Sequence, residues 1–153
     1  MKELKHWEDF EVGQVVSYGP YEVTKDEIID FARQFDPQPF HLSENFAKSS
    51  LLGGLSASGW HSCAIWMRMF VEGWASKCMS LGAPGVESVR WLKPVMVGDV
   101  LRGRSEILEH RTSKSRPWVG LSVMRHECLN QNDEIVMTLL STQMTRVRGA
   151  RDE

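Results

Sequence analysis

The first patterned stretch of the chain is a strand-like run from Val15 to Val23, broken at Gly19-Pro20. Proline cannot donate to a ladder, so the run is expected as an edge or interrupted strand. A polar lead-in, Met1 to Asp9, precedes it, with Trp7 as a candidate anchor. Thr24-Lys25-Asp26-Glu27 then matches a capping box, threonine as N-cap and glutamate three residues on. Behind it Ile28, Phe31, Ala32 and Phe35 share one helical face. Pro37 predicts the helix end, because the residue before a proline is pushed out of the α region. A longer helix is predicted from Gly59 to Met79, with Trp60, Ala64, Met67, Val71, Trp74 and Cys78 as its stripe. Ile65, Trp66, Met69 and Phe70 add a second apolar surface, so this helix is expected to be wrapped by other structure. Gly82, Pro84 and Gly85 stop it.

From there the pattern is β. Val86 to Pro94 reads as a strand, Val97-Gly98-Asp99 as a turn, and Val100 to Arg111 as the next strand. Trp118 to Leu129 alternates in part, and Asn130 to Asp133 reads as a hairpin connection into Glu134–Val147. No repeat or linker divides the chain, so one domain is expected over residues 1–153, with its core at about 10–147 and a charged tail at 148–153. One early strand, two helices and then three or four antiparallel strands give an α+β domain. An apolar helix wrapped by a curved antiparallel sheet is the arrangement called a hot-dog fold.

Bulk composition narrows the function. The 153 residues are 42% hydrophobic and 25% charged, which is globular and enough to bury a sizeable core. A net charge of -2 gives no reason to expect nucleic acid or an anionic membrane as partner. The start carries no apolar secretory segment, and His61, Arg68, Glu72 and Lys77 argue against a membrane span in the most apolar stretch. Cys63, Cys78 and Cys128 are odd in number without C-x-x-C spacing, which suggests reduced thiols in the cytoplasm. His61, Cys63 and Cys78 have no third ligand at a recognised spacing, so no metal is expected there.

The chemistry concentrates between Phe35 and Gly59. Asp36 and His41 lie five residues apart across Pro37 and Pro39, a carboxylate and an imidazole able to clamp one water. A Gly-, Ser- and Ala-rich turn from Gly53 leads into the long helix, whose first N–H groups lack partners and carry positive partial charge. The N–H of Gly59 is therefore the natural donor to a developing oxyanion, and glycine would let a ligand approach the backbone closely. Against this, an Asp before a proline is often only a turn former. The Gly53–Gly59 turn lacks the Lys-Ser/Thr of a phosphate loop.

The segment Phe35-Asp36-Pro37-Gln38-Pro39-Phe40-His41 resembles the hydratase motif of the MaoC-like dehydratases and (R)-specific enoyl-CoA hydratases, usually D-x-N-P-apolar-H. Leu51 to Gly59 is similar to the family's turn into its helix, and Trp91 to Leu101 resembles its Pro-Val-x-x-Gly-Asp strand turn. The resemblance spans about Phe10 to Val147. Gln38 stands where asparagine is usual, and Ser58 where the (R)-hydratases commonly carry histidine, departures that bear on the acyl substrate more than on the reaction class. The resemblance implies a hydro-lyase acting on an enoyl-CoA or 3-hydroxyacyl-CoA thioester, with no cofactor and no metal. It implies Asp36, His41 and Gly59 as catalytic groups, Asp36 being favoured as base, and Phe40, Ser58 and Trp60 as substrate contacts. Phe40, Trp60 and Trp66 would then favour short or compact acyl groups. Lys93, Arg111, Lys114 and Arg116 are candidates for coenzyme A phosphates, though each alone reads as solvated surface. A homodimer is expected, since a lone hot-dog sheet leaves an edge open. The alternatives are a thioesterase, for which Glu72 is the main carboxylate on the long helix, and a non-catalytic acyl-binding subunit.

Overall fold

The computed structural model describes residues 3–151; Met1, Lys2, Asp152 and Glu153, the extremities of the lead-in and the charged tail, lie outside them. In chain order the elements are β1 (Val15–Glu22), α1 (Lys25–Phe35), α2 (Pro39–Leu42), α3 (Glu44–Lys48), α4 (Gly59–Gly73), β2 (Ser80–Gly82), β3 (Val86–Trp91), β4 (Val100–Thr112), β5 (Val119–Leu129) and β6 (Ile135–Arg146). Short 3-10 turns occupy Trp7–Asp9 and Ala75–Lys77.

Six strands form one antiparallel sheet in the order β1-β4-β5-β6, with β2 and β3 lying in line along the far side of β6. β1 is an edge strand, and its register with β4 shifts between Tyr18 and Tyr21, where Gly19-Pro20 interrupts the ladder as its sequence requires. The three long strands alternate. Leu101, Gly103, Ser105 and Ile107 of β4 and Ser122, Met124, His126 and Cys128 of β5 are buried. Met137, Leu139, Ser141, Gln143 and Thr145 continue that inner face on β6. Against it lies α4, with Ile65, Trp66, Met69 and Phe70 buried. Burying each large side chain of this kind contributes roughly 1.5–3 kcal/mol. This is the hot-dog arrangement, α+β, with the long helix inside the curve of the sheet. No helix among the described residues is long and apolar enough to cross a membrane.

The helix departs from its sequence pattern in two ways. It stops at Gly73 rather than Met79: Trp74 leaves the helical region, with φ -135° and ψ -61°, and the chain turns there into the 3-10 segment and β2, while Gly73 lies too close to Tyr18 for a Cβ. Its buried face is also the one expected to be secondary. Of the predicted stripe, Trp74 and Cys78 are buried, both beyond the end of α4, whereas Trp60, Met67 and Val71 are 63%, 45% and 40% exposed. In α1, Ile28 and Ala32 are buried as expected, but Phe35 at the last turn is exposed and rests only on the Phe31 ring.

One polar chain crosses the core. The Trp66 indole donates to the Tyr18 hydroxyl at 2.9 Å, and Tyr18, Ser105, His126 and Ser141 follow at 2.8, 2.7 and 2.8 Å. The indole N–H only donates, so Tyr18 accepts from Trp66, and the hydroxyl and imidazole protons beyond it can run in either sense along the chain. Beyond His126, the Ser141 hydroxyl also accepts from the Gln143 amide at 2.9 Å. The ring is neutral, and burial pushes its pKa down to about 4. At the other end of the sheet the Trp7 indole stacks on His110 at 4.2 Å and covers Gly120. Arg148, first residue of the charged tail, pairs with Glu3 and Asp9.

Candidate active site

Asp36 is the C-cap of α1, the position where Pro37 prevents another helical turn. Pro39 then serves as the first residue of α2, a place that suits a residue without an N–H, and this single turn carries His41. Ser43 caps α3 through its hydroxyl, so two short helices occupy a stretch whose sequence gave no helical period. The chain returns through Ser56, which bridges to Met96 and places the 56–58 segment beside the dyad. α4 starts at Gly59.

A cleft of about 390 Å³ lies at this junction, lined by Asp36, Gln38, Phe40, His41, Leu52, and residues 56–60, with 91–95 forming the opposite wall. All six residues singled out in the sequence, Asp36, Phe40, His41, Ser58, Gly59 and Trp60, meet there. Trp66 does not: it is 2% exposed and belongs to the core. Of the four cations considered for phosphates, Lys93 lines the cleft and pairs with Glu134. Arg111, Lys114 and Arg116 belong to the β4–β5 hairpin at the opposite end of the sheet. Glu72 is paired with Arg68 on the exposed face of α4, away from the cleft. His61, Cys63 and Cys78 diverge toward Glu27, Met137 and the Ala75 carbonyl.

His41 Nδ1 lies 2.7 Å from the Ser56 carbonyl, and since a carbonyl only accepts, that nitrogen carries a proton. His41 Nε2 therefore faces Asp36 Oδ2, 3.5 Å away, as a lone pair when the ring is neutral. The Gln38 amide donates to Asp36 Oδ1 at 2.6 Å, so the longer amide does hold the carboxylate. Burial pushes the Asp36 carboxyl up, but Ser58, Gln38 and His41 together outweigh it and hold the group below its ordinary value. The Ser58 hydroxyl acts there by proximity, since it is buried with no partner within bonding distance.

Gly59 has a second reason to be glycine. A Cβ there would lie 2.5 Å from the Trp91 ring, whose Nε1 donates to the Gly59 carbonyl at 2.9 Å. The open side of the α-carbon is thus filled by an indole, while the N–H groups of the first turn remain without helical partners. Trp91 itself, with Leu92 and Val95, escaped the sequence reading. Only its place in the Pro-Val-x-x-Gly-Asp stretch hinted at the site.

The MaoC like domain, as a family model, matches residues 9–123. The chain belongs to that family. A MaoC-like dehydratase from Rhodospirillum rubrum is 36% identical, with a TM-score of 0.87 over 95% of this chain and 99% of that one. The unliganded (R)-hydratase PhaJ1 from Pseudomonas aeruginosa shares the fold, with a TM-score of 0.72 at 22% identity over 97% and 93% of the two chains. An uncharacterised Bacillus subtilis protein, YdeM, is 27% identical over 82% of this chain and 88% of its own. Membership in the MaoC-like family supports a hydratase or dehydratase built on the hot-dog fold.

Proposed function

We propose that this MaoC-like chain adds water to an enoyl-CoA thioester, and removes it from the 3-hydroxyacyl-CoA in reverse, with Asp36 and His41 holding the reacting water. The observation that carries the reading is the locked His41 ring. With Nδ1–H committed to Ser56, Nε2 and the ionised Asp36 carboxylate present two acceptors close enough to bond the same water. One of the pair takes a proton from that water as its oxygen bonds to the β-carbon. The double-bond electrons move toward the thioester, whose oxygen gains charge against the first N–H groups of α4, Gly59 foremost. A proton returned to the α-carbon completes the addition, and the same groups run the elimination backwards.

Phe40 and Trp60 at a cleft of this size support a short or compact acyl group. A higher kcat/KM for a long-chain enoyl-CoA than for crotonyl-CoA would overturn that preference. The three unpaired thiols support a reducing compartment such as the cytoplasm. The exposed apolar side of α4 and the unpaired outer edge of β3 support a homodimer.

The test is an enoyl-CoA assay that follows the conjugated absorbance and free thiol together. Loss of conjugation without thiol is expected. Thiol release would mean a thioesterase, and no change in either signal would mean a binding subunit.

A further inference from the structure

Asp36 and Gly59 sit at the ends of two different helices, and their relative position depends on what joins α1 to α4. At that junction one side chain of α4 meets two of α1. His61, third residue of α4, stacks face to face on Phe31 of α1, with centroids 4.7 Å apart and planes 8° from parallel. Its Nε2 lies 3.4 Å from Glu27 Oε1. Glu27 is the capping-box glutamate, but capping uses only Oε2, which takes the Thr24 N–H and hydroxyl. Oε1 turns inward, where the Tyr21 hydroxyl of β1 donates to it at 3.0 Å.

We propose that Glu27 and His61 are a positioning pair that fixes the first turn of α4 against the helix carrying Asp36. The proposal rests on the hydratase reading for its consequence, though not for its geometry. Packing alone does not account for the histidine. Its Nδ1 is buried with no partner, a cost that phenylalanine at this place would not incur. The imidazole is kept for the polar contact of Nε2 with Glu27 Oε1 at 3.4 Å. The groups facing His61 are Glu27 on α1 and His41 on α2, with Tyr21 of β1 behind Glu27 and Arg68 and Glu72 of α4 beside Tyr21. Burial pushes the His61 pKa down, Glu27 opposes this, and the charged form of His41 lowers it further. His61 is thus neutral at neutral pH, with Nε2 turned to Glu27.

The test uses His61→Phe, which keeps the stack on Phe31 but loses the polar contact, and Glu27→Gln, which can still serve the capping box. With crotonyl-CoA, each should lower kcat about ten- to a hundredfold with KM changed by less than about threefold, as expected for a misplaced reacting geometry. The double variant should be no worse than the poorer single one. The Trp91 indole N–H, bonded to the Gly59 carbonyl, reports the position of the turn independently, and its hydrogen exchange by NMR should speed up in both variants. If the wild-type protein hydrates no enoyl-CoA, the functional reading fails while the exchange experiment still decides the positioning. Unchanged indole exchange, wild-type kcat in either variant, or multiplicative losses in the double variant would overturn the pair.

Discussion

Asp36 is a case in which a neighbour two residues away changes what a side chain can do. The Gln38 amide, the Ser58 hydroxyl and His41 keep its carboxyl ionised despite burial, so Asp36→Asn removes charge while leaving shape almost intact. Asp36→Asn and His41→Gln should each lower kcat by about 10²–10⁴ with little change in Tm. Under the proposed mechanism, in which both groups hold one water, the double variant should match the poorer single one in steady-state assays. A variant that keeps its activity, or loses it only by unfolding, would remove that residue from the mechanism. His126 makes a different prediction. Its pKa falls from about 6.5 in the unfolded chain to about 4 in the fold. Below the higher value the unfolded state binds a proton that the folded state refuses. Stability present above pH 6.5 is therefore lost as pH falls toward 4, by up to about 3 kcal/mol from this residue. Urea melts of wild type and His126→Gln across that window should show a shallower decline in the variant, and parallel curves would contradict the assignment.

At the scale of elements, α4 shows what periodicity can and cannot decide. The helix, its start at Gly59 and its place inside the sheet were legible, because a segment apolar on most sides needs a cover. Which face would be covered was not. Trp60, Met67 and Val71 are as apolar as Trp66, Met69 and Phe70, and tertiary contacts, such as those of Trp66 and Phe70 with Tyr18 and His126, distinguish them. Gly73, at the helix end, is glycine for a reason hidden in the same way: its backbone passes so close to Tyr18, far away in sequence, that no Cβ fits. Gly73→Ala should therefore destabilise by about 1–3 kcal/mol, as overpacking does, rather than by the small gain alanine gives inside a helix. Thermal melts check this, and an unchanged or raised Tm would show that the backbone of β1 at Tyr18 can shift away from α4. The same contrast holds at the site. The Asp-to-His spacing was visible because both residues belong to one segment, whereas Trp91 and Glu27 reach the region from elsewhere in the chain.

For the whole molecule, the exposed apolar side of α4 and the free edge of β3 lie next to each other around Trp60 and Trp91, whose rings meet edge to face at 5.3 Å. Light scattering at micromolar concentration should give at least twice the 17.5 kDa chain mass, and Val71→Asp should weaken the assembly. A monodisperse monomer with full activity would overturn the dimer. Inside the chain, helix and sheet are joined by Tyr18, whose Cβ fills the space that a Cβ would need at Gly73 of α4 and whose ring fills the same space at Gly103 of β4. These three positions form one steric unit distributed over three elements. Among related sequences they should therefore drift unequally: a lineage that shrinks residue 18 but keeps its Cβ frees position 103 to vary, while position 73 stays glycine.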